Sequence, residues 1–123
     1  MEGQFNFLRM RSGRTYFARI GVVSDLGFEG VQLSATAGSQ NPHTPEPWME
    51  AARLGADKAR QAHEELGGGK IGLKVIAVSG TEVDTTEGTI EVASYCAAWK
   101  ALGHSETDLI IEFDDDWRVR IVA

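Results

Sequence analysis

Residues 82–102, EVDTTEGTIEVASYCAAWKAL, carry the strongest structural signal in the sequence, because a helix-start pattern is followed there by an almost wholly apolar helix. Asp84 is the expected N-cap and Glu87 the residue that reaches back to it, which is the capping-box spacing. Gly103 is expected to end the helix. The apolar surface between them is broad and includes Ile90, Val92, Ala93, Cys96, Ala97 and Trp99. A surface of this width predicts a helix that is deeply buried.

A second helix is predicted upstream, with a single apolar face. Its small and apolar residues recur at spacings of three and four, at Met49, Ala52, Ala56, Ala59, His63 and Leu66. Pro45 and Pro47 suit the approach and first turn of this helix, and the glycines at 67–69 are expected to end it. The next segment, 71–78, is apolar on both faces, which is typical of a central strand.

Further strands are predicted at both ends of the chain. Alternation over 4–10, 15–24 and 28–37 predicts a three-stranded meander. The segment 107–122 predicts a hairpin around the turn Asp114–Asp116. Its apolar pairs are Phe113 with Trp117, Ile111 with Val119 and Leu109 with Ile121. The same register places Glu112 opposite Arg118, which predicts an ion pair.

These elements predict one α+β domain over residues 1–123. The expected architecture is a two-layer sandwich, in which two helices cover one face of a mixed sheet of four or more strands. A chain of 123 residues with 42% hydrophobic residues is long enough and apolar enough for one core.

The charge of the chain excludes some classes of function. The formal net charge is −6, so general binding to the phosphate backbone of nucleic acids is disfavoured. A local exception is the first twenty residues, where four arginines stand against Glu2: Arg9, Arg11, Arg14 and Arg19. No apolar run is long enough for a membrane span, and the N-terminus does not read as a signal peptide, so we expect a cytoplasmic protein. A single cysteine excludes an internal disulfide.

Reactive constellations are not evident in the sequence. Gly67–Gly72 satisfies G-x-G-x-x-G, but it follows a helix and precedes a strand, which is the wrong order for a dinucleotide site. The three histidines lack metal-ligand spacing, with His63 expected beside the core and His104 expected to cap carbonyls. Cys96 is expected to be a buried apolar residue and Asp114–Asp116 a solvated turn. The sequence therefore predicts no catalytic residue, no cofactor and no metal.

Several motifs together resemble the fourth domain of bacterial elongation factor G. The run E-V-D-T-T-E at 82–87, with the Ala-rich helix after it, is similar to the family's E-V-D-S-S-E and following helix. Gly27–Gly30 is similar to its G-[FY]-E-F strand, and 44–52 occupies the place of its I-P-x-E-Y-I-P-A-V helix start. The segment 11–19 echoes its Q-S-G-G-R-G-Q-Y-G-H region. Order and spacing agree over about residues 9–103.

The resemblance implies a fold and a class of partner. The fold has two helices on one face of a sheet and a left-handed β-α-β crossover. In the family, loops at the tip of the domain enter the decoding centre of the small ribosomal subunit and meet tRNA and mRNA. The loop before E-V-D, usually D-G-S-Y-H, is only Ser79-Gly80-Thr81 here, and no GTPase domain or P-loop is present. We therefore expect a non-enzymatic accessory module with weak ribosome or RNA contact through Arg9, Arg11, Arg14, Arg19, Ser79, Gly80 and Thr81.

Two other hypotheses stay open at this point. The first is a small enzyme, because the same fold occurs in sugar kinases of the galactokinase type and in a dehydratase of histidine synthesis. The loop 38–47, with His43, would be the lid of its active site. A protein-interaction module, including a homo-oligomer, is the other. An exposed apolar patch or an unpaired edge strand would favour it, with the hairpin that carries Trp117 as a candidate surface.

Overall fold

The computed structural model describes residues 1–34, 37 and 44–122, which form two α-helices and two β-sheets. The elements in chain order are β1 (Glu2–Arg11), β2 (Arg14–Asp25), β3 (Val31–Leu33), α1 (Glu46–Glu65), β4 (Gly72–Ser79), α2 (Glu87–Ala101), a 3-10 turn (Glu106–Asp108), β5 (Leu109–Asp114) and β6 (Asp116–Ile121). Within the described ranges, neither helix is long and apolar enough to cross a membrane.

The larger sheet has the strand order β1-β2-β4-β3 and is mixed. β1, β2 and β4 are antiparallel neighbours, whereas β3 runs parallel to β4 with Val31 opposite Leu73. The predicted three-stranded meander is therefore wrong, because β4 lies between β2 and β3. The long, doubly apolar β4 takes the central place, and the three-residue β3 is left at the edge. The parallel pairing needs a crossover connection, which α1 supplies.

Both helices lie side by side on one face of this sheet. α2 packs over β1 and β2, and α1 packs over β3 and β4. The core between the layers contains Phe7, Ile20, Val22, Val75 and Trp99, all nearly or fully inaccessible to solvent. The predicted α+β two-layer sandwich is confirmed, while the left hand of the β3-α1-β4 crossover stays a prediction.

The start of α2 differs from the prediction. The N-cap is Thr86, whose Oγ1 accepts a hydrogen bond from the Thr89 backbone N–H at 3.1 Å, while Thr89 Oγ1 accepts one from the Thr86 N–H at 2.7 Å. The capping box therefore uses Thr86 and Thr89, and the predicted pair Asp84 and Glu87 is wrong. Asp84 instead belongs to the segment that binds β2, since its carbonyl oxygen accepts from the Phe17 N–H at 2.9 Å.

The two ends of α1 agree with the prediction, although one residue of its predicted apolar face is misplaced. The helix runs from Glu46 to Glu65 and the glycines that follow adopt positive φ at Gly67 and Gly69. Leu66, the last expected member of the buried face, is 64% exposed. It lies one residue past the helix, so the helical period no longer directs its side chain to the core.

The C-terminal hairpin has the predicted register. Phe113 pairs with Trp117 and Asp114 with Asp116, which leaves Asp115 at the apex with φ of 62°. The predicted Glu112–Arg118 ion pair is wrong, although these two residues are directly opposite. Glu112 pairs with Arg120, and Arg118 lies 4.0 Å from Asp114.

Candidate functional site

The turn between β1 and β2 forms one end of the molecule and carries most of the predicted contact residues. Its two turn residues, Ser12 and Gly13, have φ of 53° and 77°, as a tight two-residue hairpin turn requires. Arg9, Arg11 and Arg14 flank the turn and are all exposed. We call this group the arginine tip.

The strand alternation divides the four predicted arginines between the two faces of the sheet. Arg9, Arg11 and Arg14 share the face of the buried Phe7 and Ala18, on which the helices and the hairpin pack. Arg19 lies on the opposite face, where its Nε donates a hydrogen bond to Asn6 Oδ1 at 3.0 Å. The structure therefore brings three of the arginines together and separates the fourth.

The loop Ser79–Thr81 lies beside Arg19, because Ser79 is opposite Arg19 in the β2–β4 register. Hydrogen bonds fix the segment that follows it. Thr81 Oγ1 accepts from the Asp84 N–H at 3.1 Å, and Thr85 Oγ1 donates to the Phe17 carbonyl at 2.6 Å. The predicted contact set thus forms two groups, the arginine tip and a second group of Arg19 with this loop.

The four arginines differ from most other bases of the described chain in their ion pairing. Among the described residues, none of the four has an acidic side chain within ion-pair distance. Six bases elsewhere do have such a partner: Arg53, Lys58, Arg60, Lys100, Arg118 and Arg120. In a chain of net charge −6, unpaired and exposed guanidinium groups concentrated near the N-terminus mark a surface suited to an anion.

Two aromatic rings lie against guanidinium groups of the arginine tip. The Arg11 guanidinium carbon lies 4.4 Å from the centre of the Phe113 ring, and that of Arg14 lies 4.8 Å from the centre of the Tyr16 ring. Both distances are within the range of cation–π attraction. Trp117, 8% exposed, packs edge-on against both rings. Sequence reasoning placed the arginines but missed both rings. Tyr16 could have been found, since it is two residues from Arg14 on one face of β2. Phe113 could not, since it is remote in sequence and only the folded hairpin brings it to Arg11.

The basic side chains of another surface depression are held in ion pairs, unlike those of the arginine tip. A depression of about 380 Å³ lies between α1, α2 and β6. Its Lys58 is paired with Glu91 at 3.2 Å, and its Arg118 lies 4.0 Å from Asp114. The part of the chain that the structure describes has no group of three or more His, Cys, Asp or Glu side chains that could hold a metal ion. His43, the expected lid residue, lies outside the described residues.

Cys96 and a pair of histidines are the other candidate reactive groups of the described chain. Burial raises the pKa of the Cys96 thiol to about 12, so it is an inert apolar group, as predicted. His63 Nδ1 and His104 Nε2 lie 2.8 Å apart, and the His104 ring stacks on Trp99. His63 lies beside the core as expected. His104 caps the end of α2 through its backbone N–H, which donates to the Trp99 carbonyl oxygen at 3.2 Å, while its side chain meets His63. Sequence spacing could not reveal this pair, which is 41 residues apart.

Comparisons with known proteins show similarity of fold. Models of known protein families do not match this chain, and the curated proteins do not match it either. Among solved structures 44 chains match. One is the crystal structure of ttk003000868 from Thermus thermophilus, with a TM-score of 0.61 and 17% sequence identity. The match covers 83% of this chain but only 15% of the Thermus protein. At 17% identity this match shows the fold alone, and it agrees with the α+β fold that the resemblance to the fourth domain of elongation factor G implies.

Proposed function

We propose that this chain is a non-enzymatic binding module that contacts RNA through the arginine tip, in a role linked to translation. The observation that carries the proposal is the unpaired charge of Arg9, Arg11 and Arg14. Since most other bases of the described chain are held by acids, the net charge of −6 does not describe the field at this end. A small basic site on an acidic body supports weak, salt-dependent and local RNA contact.

The fold supports the link to translation. The resemblance implies that the end of the domain bearing the loop before E-V-D faces the ribosome. That loop begins at Ser79, which pairs with Arg19 in the sheet register. The loop is short and the residues after it are acidic, so we assign the main contact to the arginine tip and a secondary one to Arg19 with Ser79–Thr81.

A salt titration of RNA binding tests the proposal. Fluorescence anisotropy of a labelled single-stranded RNA would be measured between about 50 and 200 mM salt. Three phosphate contacts give a slope of log K against log salt near −2, at about 0.7 per contact. We expect the triple variant Arg9→Ala, Arg11→Ala, Arg14→Ala to abolish most of this slope.

A charge-matched control separates local contact from net charge. The triple variant Arg53→Ala, Arg60→Ala, Arg120→Ala removes the same charge from ion-paired positions. We expect this control to keep the slope of the parent protein. Equal losses in the two triple variants, or no binding at 50 mM salt, would contradict the proposal. Co-sedimentation with small ribosomal subunits, present in the parent and reduced in the tip variant, tests the link to translation.

A second candidate function is self-association, favoured by the free edge of the sheet. Among the described strands β1 pairs with β2 alone, and on its uncovered face Leu8 and Met10 are 65% and 75% exposed. Exposed strand edges with apolar neighbours are templates for pairing with a second chain. Sedimentation equilibrium tests it. A dimer that Leu8→Lys converts to monomer supports this function, and a monomer at 100 μM argues against it.

A further inference from the structure

The rings beneath the arginine tip form one continuous cluster. Phe7, Tyr16, Phe113 and Trp117 contact one another with ring-centre distances from 5.0 to 6.2 Å, and three of these four contacts are edge-on. Contacts of this kind fix the planes of the rings as well as burying them. The cluster joins β1, β2 and the C-terminal hairpin, so it holds the two ring faces that meet the arginines in fixed positions.

The arginines use only one side of their guanidinium groups on these rings. Arg11 lies over Phe113 and Arg14 over Tyr16, and both arginines are exposed, so the side away from each ring is open to a ligand. A guanidinium is planar and stacks on the face of a nucleobase as well as on an aromatic ring. Phe113 with Arg11, and Tyr16 with Arg14, are therefore two platforms on which a base completes a three-layer stack.

We infer that the arginine tip binds RNA with unstacked bases, and that it selects single strands over duplexes. The inference rests on the proposed RNA-binding function and names the class of RNA. In a duplex the base faces are covered by neighbouring bases, so only phosphates reach the guanidinium groups. In a single strand a base stacks on each platform, which adds an interaction that the duplex lacks.

Anisotropy with matched RNAs tests the inference. The probes are a labelled 12-nucleotide single strand of mixed sequence and the same strand annealed to its complement, both at 50 mM salt. We expect the parent protein to bind the single strand at least tenfold more tightly. Arg11→Lys and Arg14→Lys keep the charge but lose the planar group. Each is expected to weaken single-strand binding by about tenfold, with the salt slope and duplex affinity unchanged.

The hairpin supplies a matched control. Arg118→Lys and Arg120→Lys make the same chemical change at arginines that lie near acids and not over rings, and we expect them to leave both affinities unchanged. Phe113→Leu keeps an apolar residue but removes the ring under Arg11, and we expect it to weaken single-strand binding as Arg11→Lys does. A thermal unfolding scan checks that each variant is folded.

The outcomes separate this inference from the proposed function. Equal affinity for the two probes, or lysine variants that bind like the parent while the triple alanine variant loses its salt slope, overturns the stacking inference and keeps the proposed function. Absence of salt-dependent binding to either probe overturns both.

Discussion

The two helices approach each other closely at Gly55, and adding one methyl group there tests the packing of the helix layer. An ideal Cβ at position 55 would lie 2.2 Å from the Glu91 carbonyl oxygen and 3.1 Å from Ser94 Cβ. The nearest obstacle is backbone, which a side-chain rotation cannot remove. The helices would have to separate by about 1 Å to reach ordinary contact, because close-packed interiors have no free space to absorb the methyl group.

The sign of the Gly55→Ala effect depends on two opposing terms. Helix propensity alone favours alanine by about 0.5–1 kcal/mol. Overpacking of a well-packed core costs about 1–3 kcal/mol. Separation also stretches the hydrogen bond from Ser94 Oγ to the Ala52 carbonyl, now 2.5 Å, and such a bond contributes about 1 kcal/mol. The packing terms exceed the propensity term, so we expect the free energy of unfolding to fall by about 1–3 kcal/mol.

Urea unfolding monitored by circular dichroism, with a thermal scan beside it, measures this change. A loss of that size lowers the Tm by about 3–15 °C in a domain of this length. The reverse change at a less crowded site of the same helix, Ala62→Gly, serves as the control and is expected to cost about 1 kcal/mol through propensity. If Gly55→Ala raises the Tm, propensity outweighs packing, and the helices are not in the contact that the structure shows.

Three further predictions concern single groups of α2 and the residues at its ends. Thr86→Ala is expected to lower the free energy of unfolding by about 1 kcal/mol in urea titrations, and Asp84→Ala by much less, because Thr86 is the cap. Burial and His63 lower the pKa of His104 below its ordinary 6.5, although Asp108 opposes this. The unfolded chain then binds more protons as the pH falls, so stability is expected to decrease from about pH 7.5 to 5, and His104→Asn should flatten that profile. The Cys96 thiol is expected to react with Ellman's reagent in about 6 M guanidinium but not in the folded protein over the same hour.

The hairpin and the meander show what local pattern can and cannot predict. The register of β5 and β6 follows from a short turn and a period of two, and both are local properties, so all three apolar pairs were correct. β3 pairs with β4, which lies about forty residues further along the chain and is inserted between β2 and β3. The alternation in 28–37 contains no information about this distant strand. The resemblance to elongation factor G implied a β-α-β crossover there, and the parallel β3–β4 pair agrees with it.

The start of α2 illustrates a choice between two local signals. The sequence offers cap-compatible residues at both 84 and 86, and spacing alone does not decide between them. Tertiary contacts do, because Phe17 binds the Asp84 carbonyl through its N–H and the Thr85 hydroxyl through its carbonyl. This holds 84–85 against β2, so the helix begins only after Thr86. Sequence reasoning could list both candidates, but the strand that selects one lies almost seventy residues away.

The same distinction explains how much of the candidate site could be predicted. Four arginines are visible among the first twenty residues, and a period of two separates those on different faces of a strand, but their lack of acidic partners appears only in the structure. Of their supporting rings, Tyr16 is also visible, because it is two residues from Arg14 on the same face of β2. Phe113 is not, since it is about one hundred residues from Arg11 and meets it only when the hairpin packs on the sheet.

The C-terminal hairpin supplies the aromatic ring that lies under Arg11 of the arginine tip. Residues 109–121 lie beyond the region that resembles elongation factor G, while the loop that carries the family's tyrosine and histidine is reduced here to Ser79–Thr81. These two sites lie on different faces of β2, because Ser79 is beside Arg19 and Phe113 is beneath Arg11. The ring under Arg11 belongs to the hairpin, so the geometry of the arginine tip depends on residues outside the region of resemblance. The RNA contact proposed for the arginine tip therefore depends on the hairpin and not on the loop before α2.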